Sequence, residues 1–115
     1  MQIHQSAEDY LETILMLNQR MGRVRSIDVV NELGYTKASV SIAMKKLREN
    51  GYIAVDGEGN LTLLEPGREI AERIYSRHRL LTHFFVQLGV EEDIAAEDAC
   101  KAEHILSEQT LEKIR

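Results

Sequence analysis

Residues 26–64 read SIDVVNELGYTKASVSIAMKKLRENGYIAVDGEGNLTLL, and this stretch sets the fold. Ser26 to Leu33 is short and helical in pattern, with Ile27, Val30 and Leu33 expected inward and Gly34 as its stop. Thr36 can cap a second helix from Lys37 to Asn50, closed by Gly51, whose inner stripe is Val40, Met44 and Leu47. Two helices joined by a glycine-containing turn, the second bearing small polar and basic residues, form a helix-turn-helix pattern. Tyr52–Val55 and Leu61–Leu64 then read as strands around Asp56-Gly57-Glu58-Gly59-Asn60, a turn of glycine and short polar residues. A hairpin placed directly after a helix-turn-helix makes a winged helix, because it closes the small core left by three short helices and its tip can lie over the adjacent DNA groove.

Working outward, a preceding helix is expected from near Ser6, capped by its hydroxyl, with Leu11, Ile14, Leu15 and Leu17 inward and Gly22 as its end. After the hairpin, Pro66 and Gly67 open a long helix to about Leu88, whose stripe reads Ile70, Ile74, His78, Leu81, Phe85, Leu88. The fold class is therefore mainly α: an N-terminal winged helix-turn-helix over residues 1–65, followed by a helical region over 66–115.

The chain has 115 residues and a formal net charge of −5. That length suits one real core. No stretch approaches the roughly 18 apolar residues of a membrane span. The start MQIHQSAEDY lacks the basic residues and apolar run of a signal peptide, so a cytoplasmic location and no membrane partner are expected. Charge is polarised along the chain. Residues 20–48 carry seven basic side chains and two acids, whereas from residue 91 onward eight acids face three bases. A basic first part fits phosphates and an acidic second part collects cations.

On the second helix of the helix-turn-helix, Thr36, Lys37, Ser39 and Ser41 are placed to meet base edges, with Ile42 for a thymine methyl. Lys45, Lys46 and Arg48, and Arg23 and Arg25 before the first, suit phosphates. The same fold also serves as a protein-binding module; the basic excess favours DNA.

Cys100-Lys101-Ala102-Glu103-His104 places a thiol, a carboxylate and an imidazole at helical positions i, i+3 and i+4, facing one point. Those donors suit Fe, Co, Zn or Ni better than Mg or Ca, and equally describe an ordinary solvated helix face. Further donors come from His78, in line with core positions where a histidine also serves as a hydrogen-bonded core residue, and from Asp9 and Glu12, three apart on the first helix. Jointly, the six residues lie on three helices able to converge on one or two ions. Cys100 is the only cysteine, so no internal disulfide forms.

Ser6-Ala7-Glu8-Asp9-Tyr10-Leu11-Glu12, Arg77-His78-Arg79-Leu80-Leu81 and Cys100 through Ser107, in that order around a winged helix, resemble the metal-dependent repressors of the diphtheria toxin repressor and manganese transport regulator family over essentially the whole chain. The resemblance implies a homodimer that binds Fe²⁺ or Mn²⁺, recognises a palindromic operator and represses metal-uptake genes. Asp9 and Glu12 resemble the manganese branch, Cys100 resembles the iron branch, and His78, Glu103 and His104 fit both. Where the iron branch builds an ancillary site, this chain has Thr82 and Ala96, which do not ligate, so that site is expected to be absent. The implied cofactor is one or two Fe²⁺ or Mn²⁺ ions on Asp9, Glu12, His78, Cys100, Glu103 and His104. An enzyme is not expected: no nucleophile with a paired base, phosphate-binding glycine loop or H-E-x-x-H run occurs. The alternative is a metal-independent winged-helix regulator whose acidic helix mediates dimerisation.

Overall fold

The computed structural model describes residues 5–114. In chain order these form α1 (Gln5–Met21), α2 (Ser26–Leu33), α3 (Lys37–Glu49), β1 (Ile53–Val55), β2 (Leu61–Leu63), α4 (Glu65–Gln87), α5 (Glu92–Ala102) and α6 (Glu108–Ile114). The chain divides into two compact units, Met1–Glu72 and Arg73–Arg115.

In the first unit α1 packs against α2, α3 and β2. Tyr10 through Leu15 form an unbroken buried run, so the middle of α1 is enclosed on every side. Ser6 lies inside α1, which is already helical at Gln5, so it is not the cap expected of it. Gly22 does end the helix, at φ 84°, a left-handed conformation that favours glycine.

Helix α2 is rotated from expectation. Val29 is fully buried and Ile27 is exposed. Residues two positions apart on a helix point about 200° apart, so a face centred on Val29, flanked by Val30 and Leu33, puts Ile27 opposite. The start of α2 is fixed by Asp28, whose Oδ2 accepts from the backbone N–H of Arg25 at 2.9 Å. The inner stripe of α3 is as read: Val40, Met44 and Leu47 are buried. Thr36 Oγ1 accepts from the backbone N–H of Ser39 at 3.1 Å and so caps α3.

Strands β1 and β2 pair antiparallel, Ile53 with Leu63 and Val55 with Leu61, each one residue shorter than read. The tip is held by Asp56, whose Oδ1 accepts from the backbone N–H groups of Glu58 and Asn60, both at 2.9 Å. Its Oδ2 accepts from Asn60 Nδ2 at 3.0 Å. A third edge was not legible: the N–H of Leu61 donates to Val24 at 2.7 Å, and Arg25 bridges Asn60. Val24, which joins the hairpin to the segment before α2, is fully buried. Burying such a valine contributes about 1.5 kcal/mol or more.

Gly67 sits where α4 crosses the hairpin. A Cβ there would lie 2.2 Å from the carbonyl oxygen of Tyr52, so only glycine permits this approach.

In the second unit Leu81, Ala99 and Leu111 form a core, with Leu80, Phe85, Ala102, Leu106 and Ile114 packed on it. Leu88, read as the last inward position of the long helix, is 67% exposed, because α4 ends at Gln87 and the chain turns at Gly89. Helix α5 stops at Ala102, so the run from Cys100 to Ser107 is not one helix. Ser107 opens the next helix: its Oγ accepts from the backbone N–H of Thr110 at 3.2 Å, capping α6.

Candidate metal centre and DNA-binding face

Glu103 stands at the end of α5 with no solvent exposure. Burying a carboxylate is costly unless it is paired, hydrogen-bonded or bound to a cation. His78, from α4, sets its Nδ1 3.1 Å from Glu103 Oε2. On the other side, His104 Nε2 lies 3.4 Å from Glu103 Oε1, and the His104 side chain is only 1% exposed. Cys100 lies one turn back on α5 and is exposed. Its Sγ is within 4.8 Å of a Glu103 carboxylate oxygen.

Cys100 and His104 each approach Glu103, but the three residues do not share one helix as expected. Cys100 is helical, Glu103 is the C-cap of α5 with φ −60° and ψ −22°, and His104 belongs to the turn that follows. Because Glu103 keeps helical dihedrals, the three-residue step from Cys100 still stacks the two side chains.

Sequence reasoning did not single out Arg77. Its guanidinium donates through Nη1 to the backbone carbonyl of Glu103 at 3.2 Å, and its Nη2 pairs with Glu108 at the start of α6. The available signal was an arginine directly before a candidate ligand on a helix facing acids. Thr82, whose side chain was not expected to ligate, donates its hydroxyl to the carbonyl of His78 at 2.7 Å.

In the first unit, Asp9 and Glu12 lie one turn apart on α1, Asp9 half-buried and Glu12 6% exposed. Between them Tyr10 meets Tyr35 edge to face at 5.9 Å between ring centres. Burial first, then the Tyr35 and Asp9 charges, raise the Tyr10 hydroxyl above its ordinary pKa.

The DNA-facing candidates divide by element. Thr36, Lys37, Ser39, Ser41, Ile42, Lys45, Lys46 and Arg48 are all exposed, on α3 or at its cap. Thr36 and Ser39 also bond each other, Oγ1 to Oγ at 2.9 Å, so the two hydroxyls that open α3 are already ordered. Arg23 and Arg25 line a groove with Asp28, Glu58 and Asn60. Arg23 Nη1 lies 3.7 Å from Glu58 Oε2, and both side chains are strongly exposed. The hairpin tip is thus acidic, with Asp56 beside Glu58. Hydrogen bonds from the Asn60 side chain and backbone are the main cause holding the Asp56 carboxyl below the usual carboxylate range.

Comparison with known proteins completes the picture. The N-terminal DNA-binding domain of iron-dependent repressors matches residues 2–61, and their metal-binding and dimerisation domain matches residues 64–115. An HTH-type transcriptional regulator of Methanocaldococcus jannaschii is 35% identical over 96% of this chain and 90% of its own length. The HTH-type transcriptional regulator MntR of Bacillus subtilis is 33% identical over 95% of this chain and 77% of its own. A manganese-dependent transcriptional repressor solved in complex with manganese superposes with a TM-score of 0.86 at 30% identity, over 94% of this chain and 50% of that one. The manganese regulator SloR superposes at 0.81 with 26% identity, so this chain spans about half the length of the solved structures it matches. With both of its domains matched in order along the chain, and a buried carboxylate flanked by two imidazoles within the second, the chain belongs to the iron-dependent repressor family.

Proposed function

We propose that this chain is a metal-dependent transcriptional repressor that binds operator DNA as a homodimer in the cytoplasm, with Fe²⁺ or Mn²⁺ as its corepressor. Its targets are metal-homeostasis genes, and it performs no catalysis. The observation that carries the reading is Glu103: a carboxylate without solvent exposure, between two imidazoles and one turn from a thiol, in a chain whose α3 presents short polar and basic side chains to solvent. The working division of labour is residues 1–65 for DNA and 66–115 for metal and dimer.

His78, Cys100, Glu103 and His104 would hold the ion, with Asp9 and Glu12 of α1 completing one or two coordination spheres. This set fits a first-row divalent cation: nitrogen and sulfur donors exclude a Mg²⁺ or Ca²⁺ specialist, and the carboxylates accept Mn²⁺ and Fe²⁺. Bound there, the cation supplies positive charge and directional bonds that fix its ligands.

The chain's own residues carry that effect to DNA. Asp9 and Glu12 belong to α1, which packs against α3, so fixing α1 fixes the helix that reads the major groove. On that face Thr36, Lys37, Ser39, Ser41 and Ile42 read bases, while Lys45, Lys46, Arg23 and Arg25 hold phosphates. The thiolate of Cys100 leans the preference toward Fe²⁺ and the two carboxylates of α1 lean it toward Mn²⁺.

Metal–DNA coupling in such a device is typically about 1–3 kcal/mol and reciprocal. Titrating metal with and without the chain's own promoter fragment tests it, using a mobility shift across a panel of divalent ions with His104→Ala as control. Operator DNA should tighten metal binding by the factor by which metal tightens DNA binding. DNA binding that survives a chelator unchanged would favour a metal-independent regulator.

A further inference from the structure

We propose that Arg77 is a positioning residue for the metal ligands: it fixes the turn carrying Glu103 and His104, and metal affinity depends on it although it ligates nothing. The inference rests on the metal reading above and adds a residue to it.

The last carbonyls of a helix lack intrahelical partners and carry partial negative charge. At the end of α5, the carbonyl of Glu103 receives Nη1 of Arg77 at 3.2 Å. A guanidinium presents its donors in a rigid plane, so a second arm is aimed once the first is set. That second arm, Nη2, meets Glu108 in the first turn of α6. One side chain from α4 therefore ties the end of α5 to the start of α6 and brackets the turn of residues 103–107. The Arg77 side chain is 16% exposed, so its bond to the Glu103 carbonyl is partly shielded from water, while Glu108 at its other arm is 67% exposed.

This has a consequence for the ligands. Glu103 ends α5 and His104 begins the turn, so the α-helix does not continue through them. A lysine in place of Arg77 keeps the charge but is a flexible point donor, unable to hold the carbonyl and Glu108 in one plane. Outer partners that orient metal ligands typically alter affinity by about 10–100-fold when removed.

The test uses the full chain and Co²⁺ alone as probe, with affinity read by titration and ligand geometry by the visible spectrum. Arg77→Met is expected to weaken Co²⁺ binding by roughly tenfold or more and to alter the spectrum of the loaded protein, with Arg77→Lys in between. Leu111→Ala, which opens the core of the same unit, is expected to lower thermal stability while leaving Co²⁺ affinity of the folded protein and its spectrum unchanged. Glu103→Ala separates the two claims. Loss of binding in Glu103→Ala together with wild-type affinity and spectrum in Arg77→Met and Arg77→Lys overturns the role of Arg77. Wild-type affinity in Glu103→Ala overturns the ligand assignment, and this proposal with it. Should Arg77→Met fail to fold, Arg77→Lys decides alone, and an unchanged affinity and spectrum there overturns the proposal.

Discussion

In the proposed ligand set, Cys100 is the donor that differs from an all-carboxylate and imidazole site: its Sγ stands within 4.8 Å of Glu103, where an oxygen donor would be harder. Cys100→Glu is expected to raise affinity for Mn²⁺ relative to Fe²⁺ by roughly tenfold, measured by anaerobic titration with both ions. An unchanged ratio would remove Cys100 from the ligands. A second residue is decisive for the fold alone. Gly67→Ala would drive a methyl to 2.2 Å from a backbone oxygen that cannot swing aside. It should destabilise the chain by about 2 kcal/mol or more, read from urea unfolding, since overpacking against backbone forces the crossing apart. At this scale the sequence was informative about chemistry and blind to burial. His78 and Glu103 were legible as candidate donors from residue type and spacing, and the structure brings them within 3.1 Å of each other. The complete burial of Glu103 depends on α4, α5 and the following turn meeting, and no local pattern encodes it.

The elements most clearly written in the chain are those closed by local chemistry: the Thr36 cap, the left-handed Gly22, Gly34 and Gly51, and the Asp56–Asn60 turn. Those written least clearly depend on partners far along the chain. Val24 is buried because Leu61 bonds its carbonyl, and Ile27 is exposed because Val29, not Ile27, meets the core. Helix α6 had a local signal that was passed over, Ser107 with Thr110 ahead of Leu111 and Ile114. The hairpin tip makes two predictions. Glu58 faces Arg23 and adds negative charge to the wing, so Glu58→Gln should strengthen operator and non-specific DNA binding alike, by a few-fold. Freeing one cation for phosphate should also steepen the salt dependence by about one unit of slope. Equal affinity and slope in the variant would mean that the wing stays clear of DNA. Asp56 sets the acid limit of the same turn. Its folded pKa is depressed, so its contribution is complete above the unfolded value, near pH 4, and is lost as pH falls through the lower folded value. Amide protection of Glu58 and Asn60 should therefore persist to pH 4 and fall below it, and in Asp56→Asn the pH-dependent part of that loss should vanish.

For the molecule as a whole, the family's second domain is one of metal binding and dimerisation, and this chain's second unit leaves large apolar side chains in water: Leu88 at 67%, Ile94 at 47% and Ile105 at 76% exposure. Such residues carry affinity when an interface removes them from water, at about 25 cal/mol per Å². If, as proposed, one α3 reads one half-site, two half-sites one helical turn apart, about 34–36 Å, need two copies held at that spacing. A charge placed at one of those side chains should therefore act on DNA binding, although none of them is a DNA-contact candidate. Ile105→Glu is expected to shift the monomer–dimer equilibrium toward monomer by tenfold or more in sedimentation, about 1.4 kcal/mol or more. Metal-dependent affinity for a full palindrome should fall with it, while binding to an isolated half-site stays at the wild-type level. A variant that remains dimeric with unchanged palindrome affinity would place the dimer contact elsewhere on the second unit, with Leu88→Glu and Ile94→Glu the next positions to measure. Because Ile105 directly follows His104, the same variant must also be titrated with metal: an unchanged metal affinity assigns the loss of palindrome binding to assembly and not to the ligands.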